Sequence, residues 1–166
     1  MPESRIVINT GPLLALVAAF DNLSVLKSLY KEVHVPAEVG CEILAGGTSG
    51  FGVTQFIDAS WLNKWESEQK IPLFLTNILD RGEASVIQLA LSENIKTVCI
   101  DEVVGRRVAR LNGLSLTGSV GILLRAKREG LLSSVNGAVQ KMQKNGIWLS
   151  EKVIDFALRQ ANESDK

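Results

Sequence analysis

The stretch "RIVINTGPLLAL", residues 5–16, runs through three apolar β-branched residues into a polar, turn-forming tetrad (Asn9, Thr10, Gly11, Pro12) and then into a second apolar run. A hydrophobic strand that breaks into such a tetrad and re-enters as a helix aims its last side chain at the carboxyl edge of a parallel sheet. Open α/β folds place their ligands at that edge. Asn9 is the side chain in question. The same letters also suit a plain helix start, because Asn and Thr are favoured N-caps and Pro fits the first turn. Local geometry leaves both readings open.

Beyond this stretch, strand and helix patterns alternate. The strand at Ile6 to Ile8 leads into a helix from about Pro12 to Phe20, and "NLSVLKSLY" sets a second helical stripe. "EVHVP" reads as a short strand closed by Pro36. "PAEVGCEILAGG" reads as a helix opened by Pro, stopped by paired glycines and carrying Glu42. "GGTSGFG" is a loop by composition, and the span from Val53 to Lys70 shows no clear periodicity. "LDRGEASVIQLALSENI" is a helix with a broad apolar face, and "KTVCID" is a buried strand that ends in an acid, Asp101. A helix from about Val103 to Leu111, a short strand "LSLTG", and helices near Ser119 to Arg128, Asn136 to Lys144 and Glu151 to Ala161 complete the order. The alternation predicts an α/β fold: a three-layer sandwich with a central parallel sheet flanked by helices, as a single domain over residues 1–166.

The composition sets limits on function. A chain of 166 residues with 46% hydrophobic content can bury a core without disulfides or metal staples. Eighteen basic and 18 acidic residues give a formal charge of zero, so any contact with nucleic acid has to be local rather than driven by bulk charge. Cys41 and Cys99 have no metal-ligand spacing and stand in apolar contexts, so both are expected as core thiols of a reducing cytosol. No apolar run nears the ~20 residues that span a bilayer, and "MPESRIV" lacks a signal-peptide layout. A cytoplasmic protein away from membranes is expected. His34, the only histidine, is expected in the core, and a histidine-dependent hydrolase therefore has little support. "NTGPLL" lacks the further glycines of a dinucleotide-binding loop.

Four oxygen-bearing side chains fall where the sheet edge should be. Asn9 ends the first strand, Asp101 ends a later one, Glu83 opens the helix feeding that strand, and Glu42 lies in the helix after "HVP". Hard divalent cations such as Mg²⁺ or Mn²⁺ accept a few carboxylates plus waters, a coordination that a phosphodiester can join, so the set points to metal-assisted hydrolysis. Each acid also has an ordinary explanation: Glu83 serving the helix dipole, Glu42 solvated, Asp101 capping the helix that follows it. Spacing does not choose between these.

Longer motifs bear on the choice. "DRGEASVIQLA" at 80–90, "DEVVGRRVA" at 101–109 and "TGSVGILLRAKREGLL" at 117–132, with "VINTGPLLAL" and "VHVPAEVGCEIL", resemble the segments of PIN-domain proteins of the VapC-like kind along nearly the whole chain. The resemblance implies a metal-dependent ribonuclease whose site is built from three or four acids. Carried over, the first acid falls on Asn9, the second on Glu42, the third on Glu83 and the fourth on Asp101, with the neighbouring hydroxyl on Thr10. Asn9 departs from the pattern. It keeps a carbonyl oxygen for a metal but removes one negative charge, so metal affinity should fall. The resemblance therefore implies either a weakened endoribonuclease or an inactive PIN fold that binds RNA or a protein.

Basic residues add a substrate side. Between Asp101 and Gly130 six cations (Arg106, Arg107, Arg110, Arg125, Lys127, Arg128) face three acids (Asp101, Glu102, Glu129), a local excess that would attract a phosphate backbone. Arg106, Arg107 and Lys127 are the substrate-binding candidates, together with Thr10 at the end of the first strand. Arg106 lies about one helical turn past the helix start, close enough to reach back to the strand edge. RNA is the expected partner. The resemblance also implies a small antitoxin protein and a homodimer, for which the apolar residues from Leu13 to Phe20 and the C-terminal helices offer faces.

Overall fold

A computed structural model describes residues 4–47 and 49–164. The tip of the expected "GGTSGFG" loop at Thr48 and the first three residues of "MPESRIV" lie outside the described residues. Five strands form one sheet, all parallel, in the order β3-β2-β1-β4-β5. The strands are β1 (Arg5–Ile8), β2 (Glu32–Val35), β3 (Asn63–Lys64), β4 (Thr97–Cys99) and β5 (Ser115–Thr117). β1 lies at the centre, with Val7 paired to His34 on one side and to Val98 on the other. Ile6, Val7 and Ile8 are fully buried, which is why this strand is an unbroken apolar run rather than an alternating one.

Helices surround the sheet, as the alternation predicts. They are α1 (Thr10–Phe20), α2 (Ser24–Leu29), α3 (Ala37–Leu44), α4 (Val53–Asp58), α5 (Leu73–Thr76), α6 (Arg81–Ser92), α7 (Val103–Leu111), α8 (Ser119–Arg128), α9 (Val135–Lys144) and α10 (Glu151–Gln160). α6 packs on β1 and β4 and against α3, so the two helices carrying Glu42 and Glu83 are neighbours. α1 begins at Thr10, two residues before the expected Pro12, and the patternless span resolves into α4 and the two-residue edge strand β3.

Two expectations are corrected. α1 is apolar on nearly every side, with Leu13 and the run from Ala15 to Ala19 buried, and it packs within the chain on α3, α8 and α9. Its Leu13 to Phe20 face is thus covered and offers no broad surface to a second copy. Cys41 is exposed, because α3 turns Val39 and Ile43 inward and leaves Cys41 on its outer side; Cys99, in β4, is buried as expected. Among the described residues no helix is long and apolar enough to cross a membrane.

Candidate functional site

The site begins where β1 ends. Asn9 has the backbone of an N-cap (φ −86°, ψ 166°), but its side chain makes no capping hydrogen bond to α1. It is 7% exposed, its N–H donates to the Cys99 carbonyl at 3.1 Å, and its Oδ1 lies 3.4 Å from the point where a Cβ on Gly82 would stand. The amide is therefore turned toward the start of α6, away from the cap that the plain helix-start reading requires.

A carboxylate stands over the same point. Thr10 Oγ1 donates to Glu42 Oε2 at 3.0 Å, and Glu42 Oε1 occupies the space over the Gly82 Cα that a methyl group would fill. Much of Glu42 faces solvent, yet its carboxyl is tucked between α1 and α6. Burial raises its pKa; the Thr10 hydrogen bond works against that, and the charge of Asp80 works with it.

Glu83 is the most perturbed acid of the group. It stands three residues after Asp80, the N-cap of α6, whose Oδ1 accepts the Glu83 N–H at 2.8 Å. This is half of a capping box; the other half would bring the Glu83 carboxylate back to the N-cap backbone. Instead the Glu83 carboxylate lies over the Gly105 Cα on α7, beside Ile100, and the residue is 7% exposed. Burial first, then the hydrogen bond and charge of Asp80, then the charges of Glu102 and Glu42 push it up to about 8. A first-turn acid serving only the helix dipole would be lowered, so the dipole explanation does not account for Glu83.

Asp101 is placed differently. The helix that follows it is capped at Glu102, without a side-chain bond, and Asp101 Oδ1 instead accepts the Ser119 N–H at 2.8 Å at the start of α8. It rests over Gly118, 2.6 Å from where a Cβ would stand, next to the Arg106 guanidinium. Arg106 reaches back as its spacing suggests: Nη1 donates to the carbonyls of Ile100 (2.8 Å) and Thr117 (3.2 Å), bracing the ends of β4 and β5. Arg107 is exposed on α7. Lys127 is committed elsewhere. It lies about 12 Å along α8 from Ser119, and its Nζ donates to Ala161 O and Glu163 Oε2.

Each of the three carboxylates thus rests on a bare glycine: Glu42 on Gly82, Glu83 on Gly105, Asp101 on Gly118. Asp80 and Glu102 complete the negative surroundings of Glu83, and neither was singled out from the sequence. The Asp-x-x-Glu spacing of "DRGE" was the available signal for Asp80.

The donor chemistry can be tested against a metal. Among the described residues no three His, Cys, Asp or Glu side chains gather into a group able to hold an ion. Glu42 and Glu83 with the Asn9 amide are an all-oxygen set of two carboxylates, which matches how Mg²⁺-like ions are held, by one or two carboxylates with water and substrate phosphate. A crowded acid pushed up to about 8 is the electrostatic state that a cation relieves.

His34, on β2 between β1 and β3, is half-buried in a polar chain rather than in the apolar core. Trp65 Nε1 donates to its Nδ1 at 3.1 Å, which leaves Nε2–H to donate to Glu32 at 2.8 Å. Both ring nitrogens are thereby used away from the acids.

Compared with known families, residues 5–163 match the family model described as DUF3368: PIN domain. No curated protein matches the chain.

Proposed function

The chain belongs to this PIN-domain family, and from its acidic edge we propose that it is a divalent-metal-dependent endoribonuclease of the VapC-like toxin kind, acting in the cytoplasm as one domain. The observation that carries the reading is Glu83, buried among Asp80, Glu102 and Glu42 and pushed up to about 8 at the end of the central sheet. Glu42 and Glu83, with the Asn9 carbonyl oxygen, would hold Mg²⁺ or Mn²⁺, and Asp101, which forms no three-acid group with them among the described residues, would reach the cation through water. When bound, the cation would offset charge building on the phosphoryl oxygens and acidify water at the site.

The chain's own residues do the rest. Thr10 fixes the Glu42 carboxylate through Oε2. Asn9 adds a dipole without charge, which weakens the hold on a cation relative to an aspartate. Arg106, fixed to the Ile100 and Thr117 carbonyls, keeps a positive charge beside Asp101, and Arg107 on the exposed side of α7 supplies a phosphate contact. RNA is the substrate in this reading, and a small antitoxin is a partner. A homodimer would use α10, where Val153 and Phe156 are exposed, since the α1 face is covered.

Asn9 also favours a second reading, a non-catalytic PIN fold that binds RNA or a protein. Cleavage of a single-stranded RNA with Mg²⁺, with Mn²⁺ and with chelator separates the two. Metal-dependent cleavage that disappears in Glu83→Gln supports the nuclease; RNA binding without cleavage in any metal supports the binding module.

A further inference from the structure

Gly82 stands in the first turn of α6 and Gly105 in the first turn of α7, where glycine is the poorest helix former after proline. Neither has a positive φ, so backbone conformation does not require glycine at either place. Space does. A Cβ on Gly82 would overlap Glu42 Oε1 and meet Asn9 Oδ1 at 3.4 Å; one on Gly105 would overlap Glu83 Oε2. By contrast Gly40, in the helix that carries Glu42, would place a Cβ at an ordinary 3.6 Å from Phe56.

We propose that Gly82 is a positioning residue: its bare Cα is the floor on which the Glu42 carboxylate is seated, within reach of Thr10 and beside the Asn9 amide. This rests on the nuclease reading only for its consequence, the hold on a cation. The obstruction is the far end of a flexible side chain rather than backbone, so an alanine would be accommodated by pushing the carboxylate out and leaving the fold intact. Helix stability and site geometry then move in opposite directions.

The closing experiment has two arms. In chelator, thermal melts compare Gly82→Ala in the unmodified chain and in a Glu42→Ala background. With the carboxylate gone the alanine should raise Tm by about 3 °C, the usual gain of Ala over Gly in a helix of a chain this size. With Glu42 present the gain should shrink or vanish, and equal shifts in both backgrounds would overturn the proposal. With Mn²⁺, Gly82→Ala should lose about tenfold in apparent affinity, the scale of losing a residue that orients a ligand, while Gly40→Ala keeps the unmodified value. Unchanged Mn²⁺ affinity in Gly82→Ala would also overturn it. If the unmodified protein ignores Mn²⁺, the nuclease reading fails, and the melts in chelator still decide the role of Gly82.

Discussion

Replacing Glu83 with glutamine tests the electrostatics of the site without RNA or metal. In the folded chain Glu83 is pushed up to about 8 from its usual 4.5, chiefly by burial and by Asp80. Between those two pH values the folded chain keeps a proton that the unfolded chain releases. Its stabilising effect is complete below pH 4.5 and is lost as pH rises toward 8. The slope is about 1.4 kcal/mol per pH unit, so by pH 7 the folded state has lost about 3 kcal/mol relative to pH 4.5, or about 10 °C in Tm for a chain of this size. Glu42, raised as well, adds to the same slope. Glu83→Gln is neutral at every pH, so its melting curve in chelator should be much flatter from pH 5 to 7.5, and near pH 7.5 it should melt above the unmodified protein. Calorimetric melts across that range decide. An unmodified protein whose Tm is flat or rises with pH, or a glutamine variant with the same slope, would refute the reasoning.

Other outcomes follow from named contacts. Burial raises the Glu163 carboxyl, but Lys127, the Asn136 and Val135 N–H groups and Ser134 outweigh it and bring it to about 2. That stability is present above pH 4.5 and is lost as pH falls through 2; at pH 7, Glu163→Gln should cost about 2 kcal/mol, the scale of charge-assisted hydrogen bonds, seen as a lower urea midpoint. Asn9→Asp adds a charge beside Glu42, so in chelator at pH 7 the variant should melt below the unmodified protein, while added Mn²⁺ should raise its Tm more steeply. Identical Mn²⁺ responses in the two proteins would remove Asn9 from the site.

How much of this was legible depends on the range of the interactions. β1 and β4 are buried on both faces, and such strands announce themselves as short apolar runs bounded by polar residues. β3, with two residues, and α5, with four, are too short to show a period. The Asp80 cap was readable from "DRGE", whose two acids stand three positions apart. Asp101 was not, because its partner is Ser119, 18 residues away on a helix other than the one it precedes. Lys127 looked like a phosphate ligand for the same reason, its acid lying 36 residues downstream. Cys41 misled because Val39 and Ile43, one helical turn apart, face inward, while Cys41, two residues from each, falls on the opposite side of α3. The motifs gave Glu42 and Glu83, but burial and crowding, which decide their chemistry, arise only when α3, α6 and α7 pack together.

Calorimetric titration of the unmodified protein and of Glu42→Gln with Mn²⁺ at pH 7 tests the metal-holding edge most directly. The account predicts one weak site in the unmodified chain, in the millimolar range expected of few charged ligands, and no measurable binding in the variant. No heat of binding in the unmodified protein, or equal binding in both, would contradict it.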